Sequence, residues 1–466
     1  MRARTILGAA AVTAAAVFLA GCGGSSGAGS GSSLGAGAAV APADSVAFVA
    51  VNTDTSSSQW QAVDALLQKF PGHDQLFTQL QQQLQQKTGL SWSDDVKPAL
   101  GPELDLAVLP AASGGKPELV GLVQPGDSSK LTALLQKIDA KSGQTLVTAQ
   151  TGGWTAIAGT QAALDAVTGA SSHLADDNTY QDATSKLSGD SIASVYANGT
   201  EAQQLLGSLG KSLPTPATDV QLQWVSAGVA AESGGLKVDG YLRTQGGQSP
   251  GQPYASTLVS KIPSGALAVA DFDASTHAAS LPKGLSAALG GETALYVTAG
   301  APIPAVTLVT HPSDPQAAAD ALDKAIGEFV TGLNNLPGGS VGLGSGGSGL
   351  SAILGSIHLY HDVVGDTLVA STSQQAISDY EGAGQKLADD GTFKDATSAA
   401  SMPAETNGFV YVNLKEALPL VEGLVSMVGK GLPTGSQANL AALQTVTGYA
   451  TAAGDEVHFA AFVQVG

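Results

Sequence analysis

Histidines are the first residues of this sequence that could support chemistry. His358 and His361 are the only two of the seven histidines that lie close together. Positions i and i+3 of a strand point to opposite faces, so these two side chains are not expected to share a metal ion. The spacing therefore predicts no metal site.

Two further patterns could belong to a binding or catalytic site. Gly342–Gly347 has the glycine spacing of a dinucleotide-binding turn, but it lies in a Gly/Ser-rich segment with no strand before it. Asp271 and Asp273 alternate with Phe272, and we expect them at a solvent-exposed strand end. The sequence has neither a nucleophile elbow nor a phosphate-loop lysine. These patterns predict a protein that is not an enzyme and has no catalytic, cofactor-binding or metal-binding residue.

Cys22 is the one residue for which the sequence predicts a specific modification. Arg2 and Arg4 precede an apolar run of signal-peptide length, which ends in Leu-Ala-Gly-Cys. This ending resembles a bacterial lipobox, and the resemblance implies cleavage after residue 21 and lipidation of Cys22. Two or more acyl chains are enough for stable membrane anchoring. We therefore expect a signal peptide over 1–21 and a lipoprotein held on the outer face of the plasma membrane.

Composition and charge limit the other partners. Residues 22–40 are almost entirely Gly, Ser and Ala after the cysteine, which predicts a flexible tether. Removal of residues 1–21 takes away Arg2 and Arg4 and changes the formal net charge from -19 to -21. A chain this acidic is not expected to bind nucleic acid.

A twelve-residue stretch occurs twice and indicates an internal duplication. Leu174–Ser185 and Leu387–Ser398 are identical at nine of twelve positions. Asn178 and Gly391 suit a positive φ, and Thr179 and Thr392 fit the first position of a capping box. Each copy therefore predicts a turn that opens a short helix. Tyr180 and Phe393, which follow the threonines, are expected to be core anchors.

The duplication extends over two halves. The segments around the repeated stretch match in order, with an insertion of helices at 60–97 in the first half and a Gly/Ser-rich insertion at 332–355 in the second. Strands joined by short turns favour antiparallel pairing. The predicted class is α+β: two tandem homologous halves, each a largely antiparallel sheet with helices packed on one face. The expected boundaries are 41–245, a linker over 246–257, and 258–466.

Several of these segments resemble a known family. They are the opening run Pro42–Asn52, Trp60 in the first helix, and the run Asp95–Glu103. This arrangement is similar to the bacterial domain of unknown function numbered 3352, over roughly residues 42–466. The resemblance implies an extracytoplasmic, membrane-attached protein and brings no catalytic residue or ligand with it.

Three functions are compatible with these features. The first is a non-enzymatic envelope lipoprotein that binds an apolar or protein ligand outside the membrane. The second is a purely structural or scaffolding lipoprotein, and the third is a hydrolase that uses carboxylates without a recognisable motif. Two apolar helices, around Leu205–Leu213 and Leu418–Val428, are expected to be buried, with an apolar cleft or a partner contact as the alternatives.

Overall fold

The computed structural model describes residues 34–110, 117–143, 145–199, 221–246, 251–276, 288–300, 303–334, 342–344, 349–351, 359–427 and 439–466. The chain divides into two compact units. Unit 1 comprises Met1–Gly247 and Val465, and unit 2 comprises Gln248–Gln464 and Gly466. Cys22 and the predicted signal peptide lie outside the described residues. No helix within the described ranges is long and apolar enough to span a bilayer.

Unit 1 combines eight strands with five α-helices among its described residues. The strands are β1 Ala47–Asn52, β2 Glu103–Leu109, β3 Glu118–Val123, β4 Val147–Thr151, β5 Trp154–Ala158, β6 Ala193–Asn198, β7 Gln221–Glu232 and β8 Gly235–Gln245. The helices are α1 Ser58–Leu67, α2 His73–Thr88, α3 Ser128–Ser142, α4 Gln161–Thr168 and α5 Asn178–Thr184. The helices predicted at 60–97 are present as α1, α2 and a π-helical turn at Trp92–Val96.

The strands of unit 1 form an antiparallel sheet in the order β8-β7-β6-β1-β2-β3-β5-β4. Every neighbouring pair in this order is antiparallel. Short strands, β-branched residues and tight turns favour this pairing over parallel crossovers. The predicted mixed fold with largely antiparallel strands is therefore confirmed at this level.

Unit 2 has ten strands and four α-helices among its described residues. The strands are β9 Ala268–Asp273, β10 Glu292–Thr298, β11 Ala305–Thr310, β12 Gly342–Gly344, β13 Gly349–Ser351, β14 Tyr360–Val364, β15 Thr367–Ser371, β16 Gly408–Asn413, β17 Leu443–Ala453 and β18 Glu456–Val465. The helices are α6 Pro315–Asn334, α7 Gln374–Glu381, α8 Gly391–Ala399 and α9 Leu414–Met427. The sheet order is β18-β17-β16-β9-β10-β11-β15-β14, and β12 pairs separately with β13. Most of the predicted insertion at 332–355 lies outside the described residues.

Helices pack on both faces of the sheet in unit 1, so the expectation of helices on one face is wrong. Leu122 and Val123 are neighbours in β3 and point to opposite faces. Leu122 packs in a core that includes Leu164 of α4. Val123 packs in a second core with Leu131 of α3. The strands near β3 are apolar on both faces, and each face therefore needs its own cover.

Unit 2 repeats this arrangement. Val369 of β15 packs in a core with Phe393 of α8, whereas its neighbour Leu368 packs with Leu322 of α6. Strand β15 is buried at every position. A strand that is buried at every position is covered on both sides, whereas the alternation rule describes strands with one exposed face.

The repeated stretch forms a 3-10 turn followed by a short helix in both units, as its sequence predicts. The capping residue is different from the predicted threonine. Asp177 and Asp390 accept hydrogen bonds from the backbone N–H groups of Tyr180 and Phe393, at 2.9 and 3.1 Å. The predicted cap Thr179 is the second residue of α5 and not the residue before it. A carboxylate two residues earlier is an equally good acceptor and benefits from the positive end of the helix dipole.

The segment Leu34–Val40 departs from the expected tether, because it is folded. Ala36–Ala39 form a 3-10 turn, and Ala38 and Val40 are buried in the core of unit 1. Small residues allow this turn to lie close to the sheet: a Cβ added to Gly37 would be 2.2 Å from Oδ2 of Asp105. A Gly/Ala composition is typical of a tether but is also suited to close packing, and the second property applies here.

The expected linker over 246–257 is also structured in its described part. Residues 247–250 lie outside the described residues. From there Tyr254 forms a β-bridge with Thr406, and Ser256 and Thr257 are bonded to Glu292. The chain is therefore held against unit 2 several residues before the predicted boundary at 258.

Candidate functional site

Two acidic side chains at the start of β2 hold the folded segment Leu34–Val40. Oε1 of Glu103 accepts hydrogen bonds from the N–H groups of Gly35 and Ala36, at 2.6 and 2.9 Å. Oδ2 of Asp105 accepts one from the N–H group of Gly37, at 2.8 Å. Because the first amides of a helical turn have no partner within the turn, Glu103 acts as a cap supplied by a distant strand.

Burial controls the charge of this pair. Asp105 is completely buried, and burial followed by the nearby Glu103 carboxyl raises its pKa to about 9. At neutral pH the Asp105 carboxyl is therefore protonated. Burial and the nearby acids also raise the pKa of Tyr180 above its ordinary range.

Unit 2 contains a corresponding pair, Glu292 and Asp271. Oε1 of Glu292 accepts hydrogen bonds from the N–H groups of Thr257 and Leu258 at 2.8 and 2.9 Å, at the start of a 3-10 turn. Asp271 accepts from the Tyr254 hydroxyl at 2.6 Å and from the Ser256 hydroxyl at 3.0 Å. Burial, partly offset by the Tyr254 hydrogen bond, raises the pKa of Asp271 to about 7.

The expectation that Asp271 lies at a solvent-exposed strand end is therefore wrong. Its exposed fraction is 2%, and both of its oxygens are bonded. The alternation with Phe272 correctly places Asp271 and Asp273 on one face. It does not reveal that the residues before β9 fold back over that face, and this is why sequence reasoning missed the pair.

The two aspartates occupy the same place in their sheets although they belong to different strands. Asp105 of β2 is paired across the ladder with Ala50 of β1. Asp271 of β9 is paired with Ala294 of β10. Strands β1 and β9 hold corresponding positions in the two sheet orders, as do β2 and β10. In both units a carboxyl group thus lies beneath the 3-10 turn, but a different strand supplies it.

This geometry suits holding a backbone turn more than binding a substrate. Paired carboxyl groups with separated pKa values are a signature of acid–base sites. Here, however, Oε1 of Glu103 and Oε1 of Glu292 accept from amides of the same chain, and the Asp271 oxygens accept from hydroxyls. A substrate would have to displace these donors.

A second candidate site is the apolar face of the sheet in unit 1. The strand register defines three rows that cross strands β8-β7-β6-β1-β2-β3. Every position in these rows is Gly, Ala, Val or Leu. The central row is Gly240, Ala227, Val195, Val49, Leu106 and Gly121; the flanking rows are Leu242, Val225, Ala197, Ala47, Val108 and Leu119, and Val238, Val229, Ala193, Val51, Leu104 and Val123.

This face is only partly covered. Leu104 and Val123 pack with α3 at one end of the face. Val195, at its centre, is 39% exposed. We call the uncovered part, centred on Val195, Val49 and Leu106, the open face of unit 1.

Unit 2 has an open face at the corresponding position. Its central row runs Gly448, Val410, Ala270, Leu295, Leu308 and Ala370. Val410 is 48% exposed and Leu295 is 42% exposed, while Ala370 packs with α6 at the end of the row. Val306, in the neighbouring row, is 40% exposed. Large apolar side chains clustered in this way on one surface are typical of binding sites.

The two apolar helices predicted to be buried have different outcomes. The helix expected around Leu205–Leu213 lies outside the described residues. The other is α9, and the expectation of burial is wrong for its first part. Val421 is 49% exposed, and none of the side chains described from Leu414 to Gly423 is buried.

The remaining sequence patterns form no site within the described ranges. His361 lies 2.9 Å from Asp323 through its Nε2, and His358 is outside the described residues. The first three residues of the glycine pattern at 342–347 form β12, and the others are not described. No group of three or more His, Cys, Asp and Glu side chains is arranged to hold a metal ion in the part of the chain that the structure describes.

Comparison with known proteins identifies a family for this chain. No curated protein matches it. A crystal structure of TP0453 (crystal form III) is 8% identical, and the match covers 44% of this chain and 78% of that chain at a TM-score of 0.22. A family model matches residues 3–159 and 155–273, which confirms the expected family over this part of the chain. The chain belongs to the family described as protein of unknown function (DUF3352).

Proposed function

We propose that this protein is a non-enzymatic envelope lipoprotein that binds an apolar ligand on the open faces of its two units. The observation that carries the proposal is the run of Gly, Ala, Val and Leu across six strands around the half-exposed Val195, and its counterpart around Val410. The three rows of unit 1 and the central row of unit 2 from Gly448 to Ala370 contain no charged side chain, so burial of hydrocarbon would be the source of affinity, at about 25 cal/mol per Å².

The character of the open faces favours a hydrocarbon over a protein surface. Protein interfaces are enriched in Tyr, Trp, Met and Arg at their energetic centres and form about one hydrogen bond per 100–200 Å². The central row of unit 1 contains none of these residues. Small residues lie at the two ends of this row and Val or Leu at its centre, so the exposed side chains offer hydrocarbon surface and no polar group to a ligand.

Location outside the membrane is part of the proposal and rests on Cys22. The lipobox-like ending of residues 19–22 supports lipidation and an anchor on the outer face of the plasma membrane. An anchored protein with apolar faces would meet lipids and other apolar molecules at the membrane surface.

An internal duplication also belongs to the proposal. The sheet orders β8-β7-β6-β1-β2-β3-β5-β4 and β18-β17-β16-β9-β10-β11-β15-β14 are equivalent strand for strand. In both units the repeated stretch bonds to the segment before the first strand: Leu174 N–H to the Ala41 carbonyl at 2.9 Å, and Leu387 N–H to the Ile262 carbonyl at 2.8 Å. Two tandem homologous halves account for both similarities.

The test is binding of a fluorescent fatty acid, cis-parinaric acid, to a Cys22→Ser form. Val195→Glu and Val410→Glu each place a charge on one open face. Each variant should remove about half of the saturating fluorescence, and the double variant should remove nearly all of it. Ala162→Glu, at an exposed position of α4, which packs on the opposite face of the sheet, is the matched control and should leave binding unchanged.

Two results would contradict the proposal. If cis-parinaric acid does not bind, or if the face variants bind it as well as the control, the open faces are not ligand sites. Native mass spectrometry of the same form distinguishes the alternatives. Co-purified protein without any small molecule would favour the scaffolding function instead.

A further inference from the structure

We infer that Leu34–Val40, which we call the strap, opens locally while the rest of unit 1 stays folded. The strap is held to the sheet by three hydrogen bonds from its amides to Glu103 and Asp105. Its apolar contribution is small, because it buries Ala38 and Val40 and packs only the partly buried Leu34 beside them. Burial of so little apolar surface makes a segment a candidate for opening below the global free energy of unfolding.

The corresponding segment of unit 2 is held much more firmly and provides an internal reference. Tyr254 and Ser256 donate from their hydroxyls to Asp271, and Thr257 donates to Glu292 from both its amide and its hydroxyl. Leu258 and Ile262 of this segment are completely buried. More hydrogen bonds and larger buried side chains predict a higher opening free energy for this segment than for the strap.

Asp105 adds a cost that favours opening. Among the described residues, no group forms a hydrogen bond with its Oδ1, whereas both oxygens of Asp271 bond to hydroxyl groups. Closure of the strap takes Asp105 and Glu103 out of water together, and burial of a polar group without a hydrogen-bond partner is unfavourable. Opening returns both carboxyl groups to solvent and removes this cost.

The strap lies between Cys22 and the first strand in the sequence, so it connects the lipid to the sheet if Cys22 is the anchor, as proposed above. Opening would then lengthen the connection between the lipid and unit 1 by seven residues, about 24 Å when fully extended. The Glu103–Asp105 pair would thus set the reach of the protein from the membrane. Local opening itself does not depend on the anchor, and a soluble form can test it separately.

Thiol labelling tests local opening directly. Cys22 is the only cysteine of the chain, so Cys22→Ser provides a background without thiols. Ala38→Cys places a probe in the strap, at a side chain that is 1% exposed. Ala183→Cys, on the buried side of α5, reports unfolding of unit 1 as a whole. Leu258→Cys reports opening of the corresponding segment in unit 2.

The strap cysteine should react with a maleimide at least tenfold faster than either control. Labelling of Ala38→Cys at the rate of Ala183→Cys would overturn the inference, because the strap would then open only with the whole unit. If Leu258→Cys were labelled as fast as Ala38→Cys, the strap would not open more readily than the corresponding segment of unit 2, and that part of the inference would be wrong.

Hydrogen exchange of the Cys22→Ser form, without any probe, guards against damage by the new cysteines. Amides of Gly35–Val40 should exchange at least tenfold faster than those of Thr257–Ile262. Glu103→Gln weakens the bonds to Gly35 and Ala36, and should increase strap exchange several-fold without changing exchange in β1. Equal protection of the two segments, or no effect of Glu103→Gln on the strap, would overturn the inference.

Discussion

At the residue scale, Asp271 is the side chain whose protonation most affects unit 2. Its pKa is about 7 in the folded protein and about 3.9 in an unfolded chain, so the folded state holds the proton more tightly. Its contribution to stability is therefore complete below about pH 4, is lost as the pH rises through 7, and is constant above that. The total change is on the order of a few kcal/mol.

Asp271→Asn should remove this pH dependence, because the amide is neutral throughout. Thermal unfolding of unit 2 at pH 5 and pH 8 measures the difference. The gap between the two midpoints should be smaller in Asp271→Asn than in the parent. Asp320→Asn, at an exposed position of α6, is the control and should keep the parent gap. An unchanged gap in Asp271→Asn would show that the carboxyl is ionised at both pH values.

Phe393 is the residue of the repeated stretch with the clearest packing role. It is 6% exposed, and its ring meets Tyr411 edge to face at 5.1 Å between centroids. Phe393→Ala should lower the free energy of unfolding of unit 2 by about 3–5 kcal/mol, as for other buried aromatics. Asp389→Asn, at a side chain 74% exposed, should change it little. Urea denaturation of the soluble form tests both, and an unshifted midpoint for Phe393→Ala would make the repeated stretch a binding surface.

At the scale of elements, the caps of α5 and α8 differ in strength. Asp390 caps α8 and also accepts from the Ser264 hydroxyl at 2.7 Å and the Gly265 amide at 3.3 Å. Burial tends to raise the pKa of Asp390, but these hydrogen bonds outweigh it and the pKa is lowered. The stabilisation is therefore present above about pH 4 and is lost as the pH falls through the folded pKa.

Asp390→Ala should destabilise unit 2 by about 1–2 kcal/mol at pH 7, more than the loss of the Asp177 cap costs unit 1. The reason is that Asp390→Ala also breaks the link to the segment before β9. Denaturant unfolding at pH 7 and pH 3 measures the effect, which should shrink at the lower pH. Equal costs for Asp177→Ala and Asp390→Ala would mean that the bonds to Ser264 and Gly265 contribute nothing.

Sequence patterns predicted the helices and strands better than they predicted which segments pack over each face of the sheets. The repeated stretch, the helices at 60–97 and the antiparallel pairing follow from local periodicity and turn residues, and all are present. The strap was missed because Gly and Ala indicate flexibility unless a partner such as Glu103 is known. Asp271 was missed for the same reason, since alternation assigns a side chain to a face and is silent about what lies over that face.

At the scale of the whole molecule, Cys22 is predicted to determine where the protein acts. Cys22→Ala should release the protein from the membrane fraction or leave it unprocessed, because the apolar run before it is too short to form a stable span. Fractionation with immunoblotting measures both. Gly23→Ala, one residue later, is the control and should remain anchored. A Cys22→Ala variant that matures normally and stays fully membrane-bound would show that lipidation is not the anchor.

If the two units arose by duplication, as proposed above, the paired positions Ala50–Asp105 and Asp271–Ala294 have a consequence for how such proteins diverge. A function tied to a location between two neighbouring strands can survive the loss of its residue, provided that the partner position acquires the same group. Related sequences should then covary at these two columns, with an acid in one and a small residue in the other. The double substitution Ala50→Asp with Asp105→Ala would give unit 1 the residue arrangement that unit 2 has. What would be retained is the position of the carboxyl group in the fold, not the residue that carries it. A search for acids that are invariant in one alignment column would miss it.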